Sequence, residues 1–464
     1  MEYLTRWMAV GCDALWTYVL IVVLVACGLY FTLRTRGVQF RLFGHAIRLL
    51  GEGTTSGGRH ISSFQAFAVS IATRVGTGNL AGVAIAIAVG GPGAVFWMWV
   101  IALLGAATAF VESTLAQLFK RPGRDSFVGG PAYYILRGLR SRWMASLFAV
   151  MITITFGLSY NSVQANTICH ALDQAFGWEP WAVAVAVSVV ALVIVFGGIR
   201  RVSHVSSVLV PLMAVGYLVL ALVVVAVHWR MVPSVLRLIV EDAFGVGQAV
   251  GGGVGITVMT GIRRGLFSNE AGEGSAPNVA ATATVSHPVK QGLIQGLGVF
   301  TDTLLVCSCT AFIILIGGGY ASEGLDGIRL TQVALSNVIG TAGSSFIAVA
   351  IFLFAFSSII GNYYYGETNL RFLTDRGWVM TLYRICSGGV MVMLGGVGSL
   401  DFVWGLGDLC MALLTVLNLA AIVPLSGHVF RLLRQYEHAR RGGGQPTFRR
   451  DDLPELADRL DCWA

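Results

Sequence analysis

The chain has 464 residues, of which 55% are hydrophobic and only 12% are charged. With a mean hydropathy of +0.74, this low charge excludes a soluble globular protein, in which about 25% of residues are charged. The net charge of +7 comes from basic residues in short loops between apolar runs. That pattern favours orientation in a membrane over nucleic-acid binding.

Apolar runs of membrane-spanning length predict an all-α polytopic protein with 11 transmembrane helices. The predicted spans lie near residues 14–33, 63–90, 93–119, 143–169, 180–198, 203–228, 246–264, 288–317, 343–370, 378–397 and 404–431. Nearly all of the 31 Lys and Arg residues then fall on one side of the bilayer. Because cytoplasmic loops are rich in Lys and Arg, we expect the N-terminus outside and the C-terminus in the cytoplasm.

The spans predict one transmembrane domain over residues 1–434, followed by a tail. After the first helix, at about 14–33, spans two to six (63–228) and seven to eleven (246–431) form two sets of five. The tail at 435–464 is rich in charge and contains three consecutive glycines at 442–444. We therefore expect a cytoplasmic tail that is largely disordered.

Each set of five opens with a glycine-broken span. The first break is Arg74-Val75-Gly76-Thr77-Gly78-Asn79, and the second is the run of glycines at 251–255. Because five is odd, the second set enters the membrane with opposite orientation, as an inverted 5+5 repeat does. Such breaks persist at membrane depth only where they line an enclosed cavity. We therefore expect the substrate to contact freed backbone at Gly252 and Gly253 as well as at the first break.

The first break offers oxygen atoms to a cation and amide groups to a carboxylate. Thr77 and Asn79 add a hydroxyl and an amide to the freed backbone, and the half-helix that begins near Asn79 turns its positive end toward the break. A zwitterion and a cation are natural joint ligands of this arrangement. Arg74 has several possible roles here. It could pair with a substrate carboxylate, replace a cation, bridge to an intramembrane acid or extend into the cytoplasmic vestibule.

Other polar groups lie within apolar spans. Asn161 and Gln164 share a helix face in span four, where they either bind a ligand or join helices. In span nine, Ser357 and Ser358 form a plausible half-site for Na⁺, with Asn362 one turn further on. Asp302 in span eight could relay protons or balance the charge of an arginine at 263 or 264.

The chain carries no GxxxxGKS/T, HExxH or GxSxG motif. These patterns mark ATP-driven proteins, zinc proteases and serine hydrolases. We therefore expect no enzymatic activity and no organic cofactor, and an ion gradient as the energy source.

Long strings distributed from about residue 37 to 434 resemble the alanine or glycine:cation symporter family, also called the sodium:alanine symporters. They are VGTGNLAGVAIAI, GGPGAVFWMW, GGPAYYI, GIRRGLFSNEAGEGSAPNVAA, HPVKQGLIQGLGVFTDT and NYYYGE. The resemblance implies a leucine-transporter-like fold with one additional N-terminal helix. It also implies Na⁺-driven, or in some members H⁺-driven, import of small neutral amino acids across the inner membrane of prokaryotes.

Matched position by position, the resemblance implies a substrate site and a sodium site. The substrate contacts are Thr77, Gly78, Asn79 and Gln164, and the sodium ligands are the carbonyls of Ala72 and Val75 with the hydroxyls of Ser357 and Ser358. The chain departs from many members at two positions. Arg74 replaces a small or polar residue, and Asn362 replaces a tryptophan, which leaves room for a substrate larger than alanine, such as serine or glutamine.

Sodium-coupled symport by alternating access is therefore the function that the sequence predicts. Proton coupling remains open, as does an amino-acid sensor on the same fold that binds without transporting, with Arg74 and Asp302 as gating or coupling residues. The two matched breaks disfavour an ion channel.

Overall fold

The computed structural model describes residues 10–52, 61–123, 126–197, 214–245, 253–320 and 327–463. Helices make up most of this part of the chain. In the first half they are α1 (Val10–Arg34), α2 (Val38–Arg41), α3 (Phe43–Leu50), α4 (Ser63–Arg74), α5 (Gly78–Gly90), α6 (Ala94–Leu118), α7 (Pro131–Tyr134), α8 (Arg142–Phe176), α9 (Pro180–Phe196) and α10 (Ala214–Val227). The short antiparallel strands β1 (Arg121–Pro122) and β2 (Phe127–Val128) lie between α6 and α7.

The second half is helical as well. Its helices are α11 (Trp229–Ala243), α12 (Val254–Asn269), α13 (Ala276–Ala280), α14 (Pro288–Gly317), α15 (Gly327–Ile339), α16 (Ala342–Leu373), α17 (Gly377–Val397) and α18 (Leu400–Arg441). In the core, α6 packs along α12 and α14, while α8 packs along α16 and α17.

Seven of the described helices are long and apolar enough to cross a membrane, and two bent helix pairs raise that number to nine. Helix is present wherever the structure describes a predicted span. However, α9 has 17 residues and α12 has 16, whereas a span needs about 20. The chain is thus an all-helical protein with several membrane-spanning helices. The count of eleven and the inverted repeat stay predictions.

The first predicted break is present between α4 and α5, whose axes differ by 51°. Helix α4 begins with a capping box, in which the Ser62 hydroxyl accepts from the backbone of Gln65 and the Gln65 side chain accepts from the backbone of Ser62. It ends where Val75 turns extended, with φ −75° and ψ 96°. Residues 75 and 76 therefore leave the helix in the buried centre of the molecule.

The predicted second break at 251–255 is described only from Gly253 onward, so it stays a prediction. Gly252 lies outside the described residues, and Gly253 is the residue before α12. The structure also has an interruption at residues 270–275, between α12 and α13, which is called the second break below. Three alternate residues there take positive φ, namely Glu270 (55°), Gly272 (98°) and Gly274 (80°).

Gly253 is also far from the first break. Thr257, one turn into α12, donates its hydroxyl to the carbonyl of Gly90 at the end of α5. Gly90 lies 13 residues beyond Thr77, which is about 20 Å at 1.5 Å per helical residue. The predicted substrate contact at Gly253 therefore has no support in the fold.

The tail differs from the disordered segment that the sequence predicts. Its apolar residues Phe448, Leu453, Leu456, Leu460 and Trp463 are all buried. The indole nitrogen of Trp463 donates to the last carbonyls of α6, at 3.3 and 3.1 Å. The backbone N–H of Phe448 donates to the carbonyl of Ser286, whose hydroxyl donates to the carbonyl of Pro446. The tail is ordered because these apolar side chains, spaced between its charges, find a surface on the loops after α6 and before α14.

Candidate functional site

The first break faces α8 through a direct contact between two predicted site residues. The backbone N–H and the hydroxyl of Thr77 both donate to Oε1 of Gln164, at 3.1 and 2.6 Å. Both residues are buried. The chain therefore brings the freed backbone of the first break and the polar face of span four together at one point.

Helix α16 completes this point from the other side. The hydroxyls of Ser357 and Ser358 lie 3.2 and 3.3 Å from the carbonyl oxygen of Ala72, at the end of α4. Gly76 approaches so closely that a Cβ on it would collide with the Ser358 hydroxyl. Only glycine fits at this junction, and three of the four predicted sodium ligands converge here, with Val75 adjacent in the chain and fully buried.

Asn79 is held by protein groups on both sides of its amide. Its Oδ1 accepts from the backbone N–H of Gly76 at 2.9 Å, and its Nδ2 donates to Oδ1 of Asp302 at 2.7 Å. The other carboxylate oxygen of Asp302 accepts from the hydroxyls of Ser268 on α12, at 2.6 Å, and Thr303, at 2.9 Å. Asp302 thus links the first broken span to α12, and Asn79 holds the first break in its shape.

Asp302 does not pair with an arginine at 263 or 264, which was one of the two predicted roles. Arg264 forms a buried ion pair with Asp408 on α18, and Arg263 pairs with Asp13 at 2.8 Å. Each arginine already has an acid nearer than Asp302, so the carboxylate of Asp302 is satisfied by neutral donors.

Arg74 is buried, with 2% of its surface exposed, so it does not extend into an open vestibule. Its Nη1 donates to the carbonyl of Gln295 at 3.3 Å, while Nε and Nη2 have no hydrogen-bond partner. No acid in the described part of the chain forms an ion pair with it. Buried Glu112, Glu270 and Asp302 nevertheless lie within electrostatic range of its charge.

The second break is held by residues that sequence reasoning did not select. Glu112 on α6 accepts from the N–H of Gly272 at 3.2 Å and from Nδ2 of Asn418 at 2.8 Å. Asn418 also donates to the carbonyl of Gly272. Glu273 accepts from the Tyr160 hydroxyl at 3.0 Å. The only sequence signal was the long string GLFSNEAGEGSAP, which contains this break.

A row of aromatic rings crosses the centre beside both breaks. It runs from Tyr365 through Phe156, Tyr160 and Phe267 to Trp404, with neighbouring ring centroids 4.7 to 5.4 Å apart. A Cβ on Gly78 would lie 3.1 Å from the Phe267 ring and 2.9 Å from the backbone of Ser268. Gly78 is therefore required for α5 to pack against α12, and the rings form an apolar wall beside the first break.

Most of the predicted site residues therefore come together, and one does not. The converging residues are Ala72, Val75, Thr77, Gly78, Asn79, Gln164, Asp302, Ser357 and Ser358; Asn362 lies one turn along α16 from Ser358. Gly253 lies apart from them. The described residues hold no group of three or more His, Cys, Asp or Glu side chains that could bind a metal ion. The oxygens at Ala72, Ser357 and Ser358 are instead the neutral hydroxyl and carbonyl donors that suit an alkali cation.

Sequence comparison finds relatives along nearly the whole chain. A family model described as the sodium:alanine symporter family matches residues 1–450. A probable sodium/glutamine symporter of Bacillus subtilis (strain 168) is 48% identical, and the match covers 100% of this chain and 96% of that protein. An amino-acid carrier protein of the same strain is 50% identical, with 97% and 96% covered.

A sodium/proton-dependent alanine carrier protein of Bacillus sp. (strain PS3) is 38% identical, with 87% of this chain and 94% of that protein covered. Among solved structures, a manganese transporter of Eremococcus coleocola superposes with a TM-score of 0.50 and 15% identity, covering 86% of this chain and 84% of that one. At that identity the likeness concerns the fold alone.

Proposed function

Because this chain belongs to the sodium:alanine symporter family, we propose that it imports a small neutral amino acid together with Na⁺ by alternating access. The family consists of multi-pass membrane transporters and not of enzymes. The observation that carries the proposal is the meeting of an unwound helix with two hydroxyls: Ala72 O lies within 3.3 Å of both Ser357 and Ser358.

The sodium ion takes the place now bridged by these hydroxyl hydrogen bonds. Serine hydroxyls and backbone carbonyls are hard oxygen donors that carry no charge, so they bind a monovalent cation without holding it too tightly to release. Ala72, Ser357 and Ser358 supply three such oxygens, and the carbonyl of Val75 supplies a fourth. Since α4 and α16 each contribute oxygen atoms, the ion joins these two helices at the first break.

The amino acid binds beside the ion, at the start of α5. Thr77 and Gly78 present backbone N–H groups at the positive end of this 13-residue half-helix, which favours a carboxylate. Gln164 can exchange its bond to Thr77 for a bond to the substrate, while Asn79 keeps the break open through Asp302. The aromatic row then excludes water from the bound substrate.

The names of two relatives mention alanine or glutamine, and both amino acids belong to the class that we propose for this site. The substrate we propose is a small neutral amino acid of the alanine or glycine type, with serine and glutamine as larger members of the class. The wider arrangement that we propose is a leucine-transporter-like 5+5 repeat after one N-terminal helix. It lies in a prokaryotic inner membrane with the N-terminus outside and the C-terminus in the cytoplasm.

Uptake by purified protein in proteoliposomes tests the proposal. Labelled alanine, glycine, serine and glutamine are supplied with an inward Na⁺ gradient, and then with choline in place of Na⁺. We expect uptake with Na⁺ and none with choline. Uptake that is indifferent to Na⁺ but follows a pH gradient would replace sodium by proton coupling. Binding without accumulation would indicate a sensor.

A pair of serine variants locates the ion. Ser358→Ala removes one proposed ligand, so we expect the Na⁺ concentration for half-maximal uptake to rise about tenfold or more. Ser188→Ala is the matched control, because the Ser188 hydroxyl bonds to the Gly389 carbonyl on α17 and not to any proposed sodium ligand. Equal sodium dependence in the two variants would refute the assigned site.

A further inference from the structure

Asn362 is the one buried carboxamide in the described residues that makes no hydrogen bond. It is 1% exposed, and neither its Oδ1 nor its Nδ2 has a partner. We propose that Asn362 binds the substrate side chain and selects amino acids whose side chain ends in a carboxamide. This inference rests on the proposed function, and it narrows the substrate class of the same site.

The contrast with the other buried amides is the first argument. Every other buried asparagine or glutamine that the structure describes uses at least one amide atom in a hydrogen bond to the protein. These residues are Gln39, Asn79, Gln117, Asn161, Gln164, Asn166, Asn269, Asn278, Gln291, Gln295, Gln332, Asn369 and Asn418. Asn362 therefore differs from the way this protein otherwise treats buried amides.

Such a residue is costly unless something else binds it. A buried donor or acceptor left unsatisfied destabilises the folded protein, and Asn362 has both kinds. A leucine of similar size would avoid that cost in an apolar helix such as α16. Buried polar groups without partners in a native protein call for an explanation, and a missing ligand is one of them.

The position of Asn362 points to the amino acid as that ligand. Ser358, four residues earlier, and Tyr365, three residues later, lie on the same face of α16 as Asn362. Ser358 reaches the carbonyl of Ala72, and the Tyr365 hydroxyl lies 2.8 Å from the hydroxyl of Thr73. Asn362 thus lies between two residues that both contact the last turn of α4, just before the break.

The orientation of the substrate follows from the two ends of the site. Its carboxylate is drawn to the N–H groups at the start of α5, at Thr77 and Gly78. Its side chain therefore extends away from α5 and toward the face of α16 that carries Asn362. The Tyr365 ring, which packs on Phe156 at 5.4 Å, closes the space beyond.

A carboxamide is the side chain that satisfies Asn362 fully. It offers one acceptor and two donors, so two amides can pair through two antiparallel hydrogen bonds. A hydroxyl can complete one of these bonds, and a methyl group completes neither. A site built to hydrogen-bond its substrate discriminates strongly against analogues that lack the group, because its own polar atoms are then left unpaired.

Ligand binding to the purified full-length chain tests this independently of transport. The thermal stabilisation of detergent-solubilised protein in saturating Na⁺ is titrated with L-glutamine, L-asparagine, L-serine, L-alanine and L-methionine. Methionine matches glutamine in length but lacks the amide. We expect glutamine or asparagine to bind at least tenfold more tightly than alanine and methionine, with serine between. A preference for alanine or methionine over both carboxamides would overturn the proposal.

Variants then assign the preference to one residue. Asn362→Leu keeps the size and removes both polar atoms, so the ratio of glutamine to methionine affinity should fall at least tenfold. Asn362→Ser, which restores one hydrogen-bonding group, should recover part of that ratio. Asn337→Ala, an exposed amide on α15, is the matched control and should leave the ratio unchanged. An unchanged ratio in Asn362→Leu would overturn the assignment. Sodium-independent uptake in proteoliposomes would refute the proposed function without affecting this binding result.

Discussion

Replacing Asp302 with alanine tests whether one carboxylate holds the two broken spans together. The change removes the acceptor for Asn79 on the first break and for Ser268 on α12. Hydrogen bonds to a charged group contribute about 1.5–3 kcal/mol each. Losing both therefore costs about 3–6 kcal/mol of the free energy that keeps the break in its present shape.

At about 1.4 kcal/mol for each factor of ten, that loss lowers the population of the correctly shaped break by two to four orders of magnitude. We expect kcat/KM for amino-acid uptake in proteoliposomes to fall at least 100-fold in Asp302→Ala. Membrane insertion, followed by size-exclusion chromatography of the purified protein, should be retained, because the change leaves the apolar packing between the long helices intact.

Two variants control for other effects of the change. Asp302→Asn keeps an oxygen for the Asn79 amide, and the Ser268 hydroxyl can turn to accept from the new amide, so its kcat/KM should stay within about tenfold of the wild type. Thr303→Val removes one donor from the same carboxylate but keeps its bonds to Asn79 and Ser268, so it should lower kcat/KM far less than Asp302→Ala does. Wild-type uptake by Asp302→Ala would refute the reasoning. A complete loss in Asp302→Asn would show that the charge itself is needed.

Three further predictions concern stability. Burial lowers the pKa of His287 from 6.5 to about 3, so between those pH values only the unfolded chain binds the proton, and the folded protein loses stability as the pH falls. From pH 6.5 to 5 the loss should be about 1.5 kcal/mol. It should appear as a fall in Tm that His287→Asn largely abolishes. Trp463→Ala should cost about 3 kcal/mol, whereas Trp178→Ala, at a side chain 56% exposed, should leave the Tm nearly unchanged. Asn418→Leu removes a donor from Glu112 and from the second break, so it should abolish uptake and lower the Tm; wild-type uptake would contradict the role given to Asn418.

The first break could be predicted from the sequence because its signal is local. Two glycines, a threonine and an asparagine within six residues interrupt an apolar run. Because the chain is a membrane protein, these residues cannot be interpreted as an ordinary loop in water. The hydroxyl pair at Ser357 and Ser358 was predictable for the same reason. Local composition is sufficient to predict a site where the residues that interrupt the helix are also the residues that line the site.

The second break could not be predicted in this way because its stability comes from distant residues. Residues 270–275 lie beyond the predicted end of span seven at 264, and nothing in the local sequence indicates that Glu270 and Glu273 are buried. Glu273 is buried against Tyr160, 113 residues away in the chain, and Glu112 and Asn418 hold Gly272 from two other helices. The same reason explains why the predicted pairing of Asp302 with an arginine at 263 or 264 was wrong. Both arginines are already paired with nearer acids.

The tail shows the opposite limit. Its overall charge and glycine content predicted disorder, yet a few apolar side chains at irregular spacing were enough to bind it to the end of α6 and to the loop before α14. Composition averages over these residues, whereas folding depends on each one finding a complementary surface.

The burial of Trp463 has a practical consequence for expression and purification. A purification tag or fluorescent protein fused directly after residue 464 would start one residue from an indole that donates to the backbone at the end of α6. Steric crowding there would pull the indole out of its pocket and loosen the loops beneath it. Reporter fusions should therefore carry a long flexible spacer, and thermal melts of tagged and cleaved protein should be compared before any kinetic parameter is interpreted.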